Sequence, residues 1–495
     1  MATDGHRDLF ADWSATLADL SATGALLGWD RETGMPRGGA EARARQMGTL
    51  SALHHRELVR ADAGEAIAAL AEGDLDADTA AMVAWARRER DRATQVPEEL
   101  VRELSEARSR AVSVWLDARP RDDDAAYLDG LRPVVDLTRR YAEAVRGDAA
   151  ELSDALLDDY EPGATAGELE PLLDELAAGV RPLVEPATAA SPPPLPEAIW
   201  PADAQVALAR EVGAMIGFDL ERGAIARSAH PFTTSIGAGD VRFTTRVDEA
   251  DPVSNIRAVL HEAGHALYEQ GLPERLAGTF AHDAPSLGAH ESQSLFWENH
   301  VGRTDGFWRS LEPTLRALFP EAMGTVGIDR LARTSRRVQP SLIRVEADEV
   351  TYNLHIVLRF RLELALVRGD LPLDELPGAF DDGMEELLGL RPPRPGDGVM
   401  QDIHWPQGLI GYFPTYSLGH LYAAQLAETA AREAGPLSDL AAEGSFAPIL
   451  DFLRRAVHSR ARLVRTDELM RDANGAGLAT APFIEHLRRQ YLREP

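Results

Sequence analysis

Apolar positions recur every three or four residues along most of the 495-residue chain, the spacing of a buried stripe on an α-helix. Leu100 to Ala118 is typical, with Leu100, Val101, Leu104, Ala107, Ala111 and Val112, and Leu131 to Val145 reads the same way. No longer repeat at a fixed period is present. Two stretches break the pattern. Pro186 to Pro201 contains Ser191, Pro192, Pro193, Pro194 and Pro196. Proline lacks the backbone donor and stops a helix, so this density predicts a loop or seam. Asp240-Val241-Arg242-Phe243-Thr244-Thr245-Arg246 alternates polar and apolar residues, is rich in β-branched ones and follows Gly237 and Gly239, which predicts a strand. The expected fold is mostly α, with a small sheet beside the chemistry. An N-terminal helical part, 1–185, a proline-rich loop, 186–202, and a C-terminal part, 203–495, are expected to form one compact domain.

Composition narrows the function. Hydrophobic residues at 44% and charged residues at 26% are values of a soluble globular protein. The 51 basic residues against 80 acidic ones give a net charge of -29, which argues against binding nucleic acid or docking on anionic membranes. All 51 are arginine. The absence of lysine excludes a Walker phosphate loop, a Schiff-base lysine and a lysine general base. Cysteine is also absent, so any transition metal must be held by His, Asp and Glu. Met1 to Phe10 carries charges and no apolar core, unlike a secretory signal. No apolar run approaches the roughly 18 residues of a membrane span. A cytoplasmic protein is expected.

The strongest local signal is His261-Glu262-Ala263-Gly264-His265. On a helix the two histidines lie about 40° apart and one turn along, so both imidazoles can reach one ion. Glu262 flanks that ion without ligating it, which suits a base acting on a water at the metal. The helical context supports the motif. Asp251 can cap the helix, Pro252 fits its first turn, Gly271 can end it, and Ile256, Val259, Leu260, Ala263 and Leu267 form a buried stripe. Gly264 costs about 1 kcal/mol relative to Ala in a helix, and a small residue there allows a neighbouring backbone to approach. A catalytic zinc needs a third protein ligand and an open position. Glu291 is the best candidate, on a second helix running from Pro285 and Ser286 to Gly302; Glu269 and His282 are the alternatives.

At these residues the chain resembles the thermostable-carboxypeptidase family of zinc metallopeptidases. The resemblance covers nearly the whole length. It begins at Trp29-Asp30 and Met35-Pro36-Arg37-Gly38-Gly39-Ala40 and continues at Tyr160-Glu161-Pro162-Gly163. It then takes in His230-Pro231-Phe232, Asp240 to Thr244, the HExxH string, His290-Glu291-Ser292-Gln293, Ile343 to Asp348, and Gly398 to Trp405 with Gln401 and Asp402. The resemblance implies a mainly helical fold with a deep groove. It implies one zinc held by His261, His265 and Glu291, replaceable by cobalt or manganese, with Glu262 as general base. It implies a cytoplasmic homodimer that removes single residues from peptide C-termini with broad specificity and disfavours a terminal proline.

Peptide hydrolysis also needs a donor for the oxyanion; His404, Tyr412 and Tyr416 are candidates. An exopeptidase needs a fixed cation for the substrate's terminal carboxylate. Arg344 and Arg242 are the candidates, since a planar guanidinium binds a carboxylate bidentately. Arg242 has an equal alternative, a salt bridge to Asp240 or Asp402. Asp348, four residues after Arg344 on an expected helix, is placed to orient that arginine or a ligand histidine. The rival readings are an oligopeptidase with the same metal chemistry, a silent scaffold with a structural metal, which the intact Glu262 opposes, and a non-metal hydrolase, for which no GxSxG elbow or cysteine exists.

Overall fold

The computed structural model describes residues 2–492; Met1 and the last three residues of the C-terminal part lie outside them. Helices dominate, starting with α1 (Ala2–Thr33). The helix expected at Leu100 to Ala118 is α2 (Glu98–Ala118), and the next is α3 (Asp124–Val145). On α2 the buried stripe is Leu100, Leu104, Ala107, Ala111, Trp115 and Ala118; Val101 sits on the exposed side. One contiguous core reaches from Ala107 to Tyr491, and a smaller cluster around Trp13, Ile67 and Ala86 lies under the N-terminal helices.

The proline-rich seam starts later than its composition suggests. Helix α4 (Ala166–Ala190) carries Pro182 and Pro186 inside it, and only from Ser191 to Pro201 is the chain irregular. Both prolines are exposed and one turn apart, while Leu183 and Ala187 beside them are buried. The carbonyls that lose their helical donors therefore face water, and the buried stripe holds the helix together.

Three strands form the sheet, in the order β1 (Gly223–Arg227), β3 (Asp240–Thr245), β2 (Thr233–Gly237). Strand β3 is central, parallel to β1 and antiparallel to β2. Its Val241 and Phe243 are fully buried, as the alternation requires. The sheet packs on α1 through β2, and on α5 (Pro252–Gly271) through β2 and β3. The remaining site elements are α6 (Leu287–Leu295), which runs into a π-helical turn at Phe296–Val301, then α7 (Glu349–Arg368) and α8 (Pro414–Glu433). No described helix is long and apolar enough to cross a membrane.

Candidate metal centre

Helix α5 begins and ends where its sequence directs. Asp251 accepts from the amides of Val253 and Ser254, Pro252 fills the first helical position, and Gly271 is the last helical residue. Ile256, Val259, Leu260, Ala263 and Leu267 are all buried, which leaves His261 and His265 facing α6. Helix α6 is capped by Ser286, whose hydroxyl accepts from the amide of Ala289, and it runs antiparallel to α5. Two glycines let the helices meet. A Cβ at Gly264 would lie 2.6 Å from the carbonyl oxygen of Gln293 and 2.7 Å from Cα of Ser294. A Cβ at Gly419 on α8 would lie 2.6 Å from Cγ of Glu291. The space that Gly264 was expected to leave is filled by the backbone of α6.

Glu291 is thereby held against both histidines. Its Oε2 lies 3.3 Å from Nε2 of His265 and 4.0 Å from Nε2 of His261. One donor from each of the three residues lies within 4.8 Å of the others. With metal–donor bonds near 2.0–2.2 Å, tetrahedral ligand atoms stand about 3.3 Å apart. Two imidazoles and a carboxylate at these separations fit a divalent cation of the zinc type. Glu269 stands instead with Oε1 3.0 Å from Nε2 of His290, whose ring stacks on that of His265 at 4.4 Å.

The electrostatics of the cluster call for a cation. Burial would lower the imidazole pKa of His261, but Glu291, Glu298 and Glu262 raise it to about 10. Burial would raise Glu291, but the adjacent His261 and His265 lower it. Burial and His290 push His265 down to about 4, so its ring is neutral and ready to ligate. A cation among these donors would replace the proton that the acidic groups draw onto His261.

Glu262 is buried beside the ligands, and burial raises its pKa. Thr233 of β2 donates its hydroxyl to Oε2 of Glu262 at 2.7 Å, which ties one carboxylate oxygen and leaves the other for proton transfer. Sequence gave no signal for Thr233. It also missed Glu298, whose Oε2 lies 3.0 Å from Nδ1 of His261. A signal existed there: Glu298 follows Glu291 by seven residues, two helical turns on the same face.

The candidate substrate residues fall into two groups. Arg344 is buried; its Nε and Nη2 donate to Oδ1 of Asp402 at 2.9 and 2.8 Å, and Nη1 donates to the Tyr352 hydroxyl at 2.9 Å. Arg359 of α7 donates to the other Asp402 oxygen at 2.6 Å. Gln401 accepts from the Arg344 amide at 2.8 Å, and Tyr416 lies under the Arg344 guanidinium and 3.3 Å from Nε2 of His404. Tyr412 packs against Tyr416 and His404. Arg242, by contrast, is bound bidentately by Asp240 at 2.7 and 2.6 Å and lies over Trp29. Its partner is Asp240, not Asp402. Asp348 does not orient Arg344 or a histidine. Arg344–Glu346 is a separate 3₁₀ turn, and Asp348 caps α7, accepting from the amides of Val350, Thr351 and Gln339. His230 is exposed in the loop before β2, with its carbonyl accepting from the Ser228 hydroxyl.

A helix-borne pair of histidines, a carboxylate from an antiparallel helix and an adjacent unligated glutamate define a metal-dependent hydrolase. Residues 10–491 match the model of the carboxypeptidase Taq (M32) metallopeptidases, and the chain belongs to that family. It is 44% identical over 490 residues to thermostable carboxypeptidase 1 of Thermus thermophilus, covering 96% of each chain. It is 34% identical over 487 residues to carboxypeptidase 1 of Bacillus subtilis, covering 97% of each. The crystal structure of an M32 carboxypeptidase from Deinococcus radiodurans superposes with a TM-score of 0.96 at 36% identity, over 98% of this chain and 99% of that one. The protein is a metallocarboxypeptidase, a peptide hydrolase.

Proposed function

We propose that the enzyme releases single amino acids from the free C-termini of peptides with broad specificity, disfavouring a terminal proline. We assign it one zinc ion per chain, held by His261, His265 and Glu291, with cobalt or manganese able to replace it. When bound, the metal polarises the scissile carbonyl and lowers the pKa of a water from about 15.7 towards 7. Glu262 takes the proton from the attacking water on the oxygen that Thr233 leaves free, and passes it to the leaving amine nitrogen. We assign oxyanion donation to His404, Tyr412 and Tyr416. Proline discrimination, the cytoplasmic setting and a homodimer are readings that rest on the family resemblance. So is a groove flanked by residues 1–185 and floored by 203–495. The net charge of -29 supports a protein without nucleic-acid or membrane partners.

The observation that carries the exopeptidase reading is the buried Arg344–Asp402–Arg359 cluster. Two guanidinium charges face one carboxylate, leaving one positive charge uncompensated. Neighbouring groups do not cancel it. Burial pushes Glu363 up to about 8, so it is protonated near neutral pH, and burial together with Arg344 pushes His404 down to about 4. A substrate carboxylate satisfies this excess, whereas Arg242 is already neutralised by Asp240.

Arg344→Ala is therefore expected to slow cleavage of free-acid peptides by roughly 10–100-fold, the worth of a charge-assisted hydrogen bond of about 1.5–3 kcal/mol. It should change cleavage of the corresponding amides little, and Arg242→Ala should show no such selectivity. The acid-to-amide rate ratio checks this, because a folding defect lowers both rates alike. An unchanged ratio in Arg344→Ala would move carboxylate recognition elsewhere and favour an oligopeptidase.

A further inference from the structure

We propose that Glu298 is a positioning residue of the metal centre, fixing the His261 ring and raising the strength of His261 as a ligand. The inference rests on the metal centre described above and goes beyond its three ligands and base. Three observations support it. The first is contact: the buried Glu298 carboxylate places Oε2 3.0 Å from Nδ1 of His261. Paired with Arg257 and Arg303, the Glu298 carboxylate accepts from Nδ1, and Nε2 is the nitrogen left facing Glu291, free to ligate once a cation replaces its proton.

The second observation is that the carboxylate is itself immobilised. Arg257 donates to its Oε1 at 3.0 Å, and Nη2 of Arg303 lies 3.6 Å away. Arg303 is anchored by Asn299 at 2.8 Å and by the Ser335 carbonyl, and its Nε lies 3.3 Å from Glu349. Glu349 is held in turn by His486 at 2.8 Å and Tyr491 at 2.6 Å. The third is the backbone. Glu298 lies within the π-helical turn Phe296–Val301 that directly follows the helix carrying Glu291. Such turns are uncommon and concentrate at functional sites. Here the turn packs so closely on α5 that a Cβ at Gly302 would lie 2.3 Å from Leu260. One chain segment thus delivers both a metal ligand and the support of another ligand. The two histidines are supported differently: Nδ1 of His265 is buried with no partner among the described residues, and that ring is placed by stacking on His290.

A carboxylate behind a ligating imidazole raises its basicity and fixes its tautomer, and losing such a partner costs about 10–100-fold in metal affinity. The test is metal competition against a chromophoric chelator at 25 °C, using Zn2+, with the visible absorption spectrum of the Co2+ form as a second readout. Glu298→Ala is expected to weaken Zn2+ binding by about 10–100-fold. Glu298→Gln keeps an acceptor for Nδ1 but loses the charge, so it should weaken binding less and still shift the Co2+ spectrum. If Glu298→Ala does not fold, the nearly isosteric Glu298→Gln carries the comparison. Glu363→Gln is the control for stability alone: Glu363 is a buried carboxyl group whose oxygens accept from Trp405 and the Gly411 amide, and it touches none of the proposed ligands. It should lower the melting temperature and leave the Zn2+ affinity unchanged. Unchanged affinity and Co2+ spectrum in the Glu298 variants, or equal weakening in Glu363→Gln, would overturn the assignment. Failure of the unaltered protein to bind Zn2+ would overturn the metal centre itself, and this inference with it.

Discussion

Glu262→Gln is expected to retain its metal and lose about 10²–10⁴-fold in kcat, the usual worth of a positioned general base. The substitution is nearly isosteric, and the amide oxygen can still accept from Thr233, which holds Oε2 of the native side chain at 2.7 Å. Folding and the ligand set should therefore survive. What is lost is the ability to take a proton from water and return it to the amine. Because that interaction forms only in the transition state, kcat and kcat/KM should fall together with KM little changed. Metal content beside steady-state rates provides the check. A variant within about tenfold of the parent would remove Glu262 as the base.

The second large effect is expected at Glu291. Of the three proposed ligands it is the one that does not come from α5, and Gly419 leaves room for it against α8. Structural zinc sites with four ligands bind with about 10–16 kcal/mol, or roughly 2.5–4 kcal/mol per ligand. Glu291→Ala should then weaken metal binding by about 10²–10³-fold and take activity to background at ordinary zinc concentrations. Glu269 cannot take over, since it is engaged with His290. Metal retained at the parent affinity after dialysis would place the third ligand elsewhere.

The parts of this site that sequence made legible are those written in local periodicity. One turn separates His261 from His265, Asp251 and Pro252 start their helix, and the period-2 pattern of Asp240 to Arg246 marks β3. Gly264 was legible as a position of close approach, and Glu291 as the carboxylate that a second helix brings to the two histidines. Strands β1 and β2 were not legible. Each has five residues, and neither Gly-Ala-Ile-Ala-Arg nor Thr-Thr-Ser-Ile-Gly alternates clearly; pairing with β3 decides their conformation. Thr233 was invisible for the same reason, because its bond to Glu262 depends on how β2 docks on α5.

Long-range ion pairs follow the same logic. The sequence offered Asp240 or Asp402 as the partner of Arg242, and proximity along the strand favours Asp240. Asp402 is bound to Arg344, 58 residues away, and to Arg359. Arg359 carried a readable signal, a charge within the apolar run of α7 that demands a buried partner. Asp348 misled because its position four residues after Arg344 suggested one helix, whereas the chain breaks at Ala347 and Asp348 starts the next. The prolines of α4 misled in the opposite direction, since an exposed face tolerates lost donors that a buried one would not.

The most direct measurement of the central claim is product analysis on an N-terminally blocked tripeptide, supplied as the free acid and as the C-terminal amide, with and without prior dialysis against chelator. The free C-terminal amino acid is expected as the first product from the acid, with little or no cleavage of the amide. All activity should vanish after chelation and return with zinc or cobalt. Release of a dipeptide, equal cleavage of acid and amide, or full turnover after exhaustive chelation would contradict it.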